Sequence, residues 1–72
     1  MEKAAMDEIY ISIRPYLDDA QAIRSFMENT LDLGTGALLD KVRSRIENSS
    51  STERTDFQIL LNALEKHVVH QG

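Results

Sequence analysis

His67 and His70 lie three residues apart, with Glu65 two positions before the first of them. On a helix that step places two imidazoles on one face, and imidazole with carboxylate is a donor set for zinc and other first-row ions. Histidines near a helix C-terminus are also favoured by the helix dipole, and chain ends fray, so no bound metal is expected here. Ser49, Ser50, Ser51 and Thr52 gather four hydroxyls. A serine nucleophile needs a histidine base and a third residue to orient it, and the histidines stand at the tail with no clear third member. Helix capping accounts for the run instead, because Ser50 and Glu53 fit the S-x-x-E capping box. Asn48-Ser49-Ser50 matches a glycosylation sequon, which has consequences only in a secreted chain.

Leu31-Asp32-Leu33-Gly34-Thr35-Gly36-Ala37-Leu38-Leu39 looks like the glycine-rich loop of cofactor-dependent methyltransferases or a phosphate loop of sugar kinases. Both need a strand before the glycines, so that the next helix N-terminus faces the ligand. The preceding residues, Arg24 to Thr30, continue a helical pattern instead. A helix–helix turn is the expected reading, with the glycines allowing unusual backbone angles and Thr35 capping the next helix. With no acid–base pair in view, no enzyme activity, catalytic residue or cofactor is expected.

Lys41, Arg43 and Arg45 form the one short basic cluster, a candidate contact for nucleic acid or an acidic partner. At two-residue spacing on a helix, Arg43 points away from the other two. The formal net charge is −4, and up to Asp32 seven acids face three bases. Phosphate backbones attract Lys and Arg, so this balance disfavours nucleic acid.

The elements that must position these residues are helices. Met6, Ile9, Ile13, Tyr16, Ala20, Ile23, Met27 and Thr30 recur at alternating steps of three and four, a heptad-like stripe. Pro15 interrupts it. Proline inside a helix removes a hydrogen bond and costs about 3 kcal/mol, so the segment over 2–30 is interrupted near Pro15: it either kinks while its stripe continues, or breaks near Arg14 and restarts with Pro15, Asp18 and Asp19 in its first turn, a break or sharp kink being favoured. A second helix is expected over 37–47, with Leu38, Leu39, Val42 and Ile46 on one face. A third is expected over 52–69, carrying Phe57, Leu61, Leu64 and Val68. The last two, joined by a short polar linker, should form an antiparallel hairpin.

The chain has 72 residues, 42% of them hydrophobic, and no cysteine. That is enough apolar content for one folded domain, but a core of this size is marginal alone and has no disulfide staples. Oligomerisation is the usual remedy. No apolar run approaches the ~20 residues of a membrane span, and the acidic N-terminal stretch lacks a signal core, so the expected location is the cytoplasm. The fold class expected is all-α: three or four short amphipathic helices in a single domain over 1–72, paired as a homodimer. Met6, Ile9, Ile13, Tyr16 and Met27 are the expected interaction residues, with the first-segment stripe as the dimer seam.

From Gln21-Ala22-Ile23, through Phe26-Met27, to Leu38, Lys41, Val42 and Arg45-Ile46-Glu47, the chain resembles the AriR/YmgB-like family of small enterobacterial regulators. Leu64-Glu65 and Val68-Val69 extend the likeness, which covers about residues 20–69. The linker is longer here, and the segment before Ala20 lies outside the match. The resemblance implies a small dimeric helical connector that feeds stress signals into a two-component phosphorelay and affects biofilm formation and acid resistance. Its partner would be a regulatory protein such as a response regulator. DNA binding by the dimer, also attributed to that family, is the alternative. A secretion-system co-chaperone or helical subunit is a further one.

Overall fold

In the computed structural model, the backbone of residues 1–71 and the side chains of residues 1–68 are described. The chain is all-α, with four helices and no strand among the described residues. Helix α1 covers Lys3–Ile13, α2 covers Ala20–Asn29, α3 covers Thr35–Asn48 and α4 covers Ser51–Gln71. None of them is long and apolar enough to cross a membrane.

Pro15 breaks the first segment. Helix α1 stops at Ile13, and Arg14–Tyr16 form one 3-10 turn. Arg14 keeps helical angles, φ −47° and ψ −44°, but Pro15 has no N–H for the α-helical ladder and its fixed φ suits the start of a turn. The restart differs from the sequence expectation: α2 begins only at Ala20, so Pro15 and Asp18 precede it. Asp19 is its N-cap, and one carboxylate oxygen accepts the Ala22 N–H at 3.2 Å. An aspartate that caps takes an otherwise orphaned N–H, which a first-turn aspartate acting through the dipole alone does not.

The loop between α2 and α3 also differs from expectation. Gly34, not Thr35, is the N-cap of α3, with φ −68° and ψ 162°. Neither described loop glycine has a positive φ, and a Cβ added at Gly34 or Gly36 would meet nothing within 4 Å. Any residue could hold this backbone. At the far end of α3, Asn48 Nδ2 donates to the Ser44 carbonyl at 2.8 Å, and the Ser49 hydroxyl donates to that of Arg45. These bonds satisfy carbonyls that the helix end would orphan. Ser50 immediately precedes α4, and its carbonyl accepts the Arg54 N–H at 2.8 Å.

Helix α4 is the centre of the molecule. It makes the most extensive contact with α3, and it is also the main support of α1 and α2. Leu60 and Leu64 of α4 and Leu38 and Val42 of α3 are completely buried. Phe57 meets Phe26 of α2 edge to face, with ring centroids 5.0 Å apart. Such a pair adds about 0.5–1.5 kcal/mol beyond its buried area.

The stripe of the first segment is spent in this same core. Met6, Ile9, Ile13, Ile23 and Met27 are all buried within the single chain. Because the chain bends at Pro15, both parts of the stripe turn onto one support rather than running on as a straight seam. Two buried polar residues accompany them. The Thr30 hydroxyl is bonded to the carbonyls of Phe26 and Met27 at 3.0 and 3.1 Å, closing α2. Asp56 is 2% exposed, and its carboxylate accepts the backbone N–H groups of Asp18 and Asp19, each at 2.9 Å.

Candidate interaction surface

The five expected interaction residues divide sharply. Met6, Ile9, Ile13 and Met27 are between 2% and 6% exposed, each facing the molecule's own core. Within the single chain these four side chains pack into its own core. Tyr16 is different. It sits in the 3-10 turn, is 73% exposed, and shares this property with Ile11, at 68%.

Tyr16 stands at the edge of a groove between α1 and α4. One wall is Ile9, Ser12, Ile13 and Tyr16; the other is Ile59, Asn62, Ala63 and Lys66. Each wall repeats the i, i+3, i+4, i+7 spacing that aligns side chains along one helix ridge. The groove holds about 410 Å³. Its floor is apolar where Ile9 and Ile13 show their edges beside half-buried Ile59 and Ala63. Ser12 is not a free donor there, because its hydroxyl gives its hydrogen to the Ile9 carbonyl at 2.7 Å. Lys66 supplies the one charge of the lining.

Sequence reasoning passed over Ile59 and Ala63. The signal was present: α4 carries apolar residues at 57, 59, 60, 61, 63 and 64, more than one stripe can use. The excess at 59 and 63 falls on the flank beside α1.

In the basic cluster, Arg43 and Arg45 meet different neighbours. Arg43 Nη1 lies 3.5 Å from an Asp40 carboxylate oxygen, and the Arg45 guanidinium lies over the Phe57 ring, 5.1 Å from its centroid. Lys41 is exposed between them in sequence. A guanidinium over a ring face is held by the ring quadrupole as well as by contact. Elsewhere Arg24 is occupied twice, by Glu28 at 3.1 Å and by the face of Tyr10 at 5.7 Å.

His67 is half-buried on α4, and the side chain of His70 lies outside the described residues. No group of three or more metal-binding side chains gathers among the described residues. The glycine-containing loop joins two helices, so the strand that a phosphate or cofactor loop requires does not precede it. No family model, no curated protein and no solved structure matches this chain.

Proposed function

We propose that this chain is a regulatory protein-interaction module and not an enzyme. It acts as a homodimer in the cytoplasm and holds a regulatory protein, such as a response regulator of a phosphorelay, in the groove between α1 and α4. The observation that carries this reading is the groove itself, with walls at helical spacing, an apolar floor and an exposed tyrosine at its rim. Two ridges so spaced accept an amphipathic helix, whose anchors repeat at the same intervals. Tyrosine is enriched at such contacts because it offers a large rigid face and one polar atom.

Helices α3 and α4 form the antiparallel hairpin that carries one wall of the groove. Arg45, near the end of α3, lies over Phe57, near the start of α4, as a hairpin closed by Ser49 and Ser50 requires. The likeness of residues 20–69 to the AriR/YmgB-like connectors supports the same class of function, including biofilm and acid-stress responses.

Affinity capture from an enterobacterial extract tests the reading, comparing the wild-type chain with Tyr16→Asp and Ala63→Glu. Both variants should keep the helical circular dichroism spectrum and lose a protein that the wild type retains. Identical retained proteins for all three chains would refute the groove as the contact.

A further inference from the structure

We infer that the cleft between α1 and α2 binds a phosphate dianion, free or carried as a monoester, between Arg14 and Arg24. This site is separate from the groove between α1 and α4, with which it shares no lining residue.

Helices α1 and α2 each rest on α4 and scarcely touch one another. The gap between them is a cleft of about 510 Å³. Tyr10 and Arg14 stand on one wall, and Gln21, Arg24, Ser25 and Glu28 on the other. The α2 residues keep the steps of three and four that align side chains along one helix ridge. The lining carries two guanidiniums against one carboxylate, in a chain whose net charge is −4. A local excess of positive charge thus sits in a concave place, where the field is focused on whatever enters.

The two arginines are in different states. Arg24 is held in position: its Nε donates to Glu28 at 3.1 Å, and its guanidinium carbon lies 5.7 Å from the centre of the Tyr10 ring. These contacts use one edge and one face of the group. The Nη edge donates to no acceptor among the described residues. Glu28 therefore orients Arg24 without covering it. Arg14, on the facing wall, forms no ion pair among the described residues.

A guanidinium presents parallel N–H groups that match two oxygens of one anion. Two such forks from facing walls call for more oxygens than a carboxylate has. Phosphate has them, and as a dianion it matches two positive charges. The Gln21 amide and the Ser25 hydroxyl, one turn apart on the same ridge, add neutral donors.

The test titrates nitrogen-15-labelled chain with inorganic phosphate, phenyl phosphate and acetate at constant ionic strength. The pH is held at about 7.5, above the second phosphate pKa of about 6. The side-chain Nε–H signals of the arginines read the site one residue at a time. Both phosphates should give saturating shifts at Arg14 and Arg24 that exceed those at Arg43, Arg45 and Arg54. Acetate should bind about fivefold more weakly or worse. Arg14 and Arg24 are exposed, so Arg14→Gln and Arg24→Gln should keep the helical circular dichroism spectrum and each weaken phosphate binding about fivefold or more. Tighter binding of phenyl phosphate than of inorganic phosphate supports the site with a phosphorylated side chain as its source. The reverse order supports it with the free ion. Shifts that never saturate, or that are equal at all the arginines, overturn the site as mere charge screening. An affinity that neither substitution changes overturns it as well.

Discussion

Asp56 Oδ2 accepts the backbone N–H of Asp19 at 2.9 Å, joining α4 to the cap of α2 across 37 positions of sequence. The other oxygen of the same carboxylate takes the N–H of Asp18. One side chain thus satisfies two successive amides that neither helix can serve, at the point where Pro15 has thrown the chain out of helix. Asp19 in turn caps α2, so the bend, the cap and the support helix are one connected arrangement.

Replacing Asp56 by Asn leaves one acceptor and turns an N–H donor toward a backbone donor. Hydrogen bonds to charged groups are worth about 1.5–3 kcal/mol, and a stranded buried amide adds to the loss. Asp56→Asn should lower the urea midpoint by an amount equivalent to about 2–3 kcal/mol, with the slope of the transition unchanged. Hydrogen exchange should quicken first at Asp18 and Asp19. An unchanged midpoint would mean the carboxylate does not hold the bend.

Leu64 is fully buried and Ile11 is 68% exposed, although both are large aliphatic residues on helices. Leu64→Ala should cost about 2–5 kcal/mol through lost burial and the cavity left behind. Ile11→Ser should change stability by no more than about 0.5 kcal/mol. Thermal melts of the two variants side by side check the orientation of both helices.

Ile13 and Tyr16 separate folding from binding. Ile13→Asp would bury an unpaired carboxylate among apolar side chains, and the expected outcome is loss of the cooperative unfolding transition. Tyr16→Asp places the same group in solvent and should leave the transition within about 0.5 kcal/mol of wild type. If both variants unfold alike, Tyr16 belongs to the core and the groove loses its rim.

Gly36 lies in the first turn of α3 with open space around it and no backbone angle that needs glycine. Gly36→Ala should stabilise the chain by about 0.4–1 kcal/mol, chiefly by restricting the unfolded state. A denaturant titration reads this directly.

Much of the fold was legible in the sequence because period and punctuation agreed. The Leu38–Val42 and Phe57–Leu64 stripes marked α3 and α4, and Pro15 marked the interruption of the first segment, though not whether it kinks or breaks. What periodicity does not contain is the direction in which a stripe faces. Met6, Ile9, Ile13 and Met27 have the spacing both of a seam between chains and of a core within one, and spacing alone does not decide between them. The Asp56 bonds were invisible for a related reason. An aspartate in the second turn of a helix reads as one more solvated polar residue, and nothing local reveals amides 37 and 38 positions away. Gly34 and Gly36 misled in the opposite sense, since their type suggested backbone angles that the loop does not use.

Sedimentation equilibrium of the full chain, from micromolar to millimolar concentration, tests most directly whether this molecule works by assembly. A reversible monomer–dimer equilibrium that reaches dimer within that range is the predicted result. A single species at the mass of one chain, 8.2 kDa, at every concentration would contradict it.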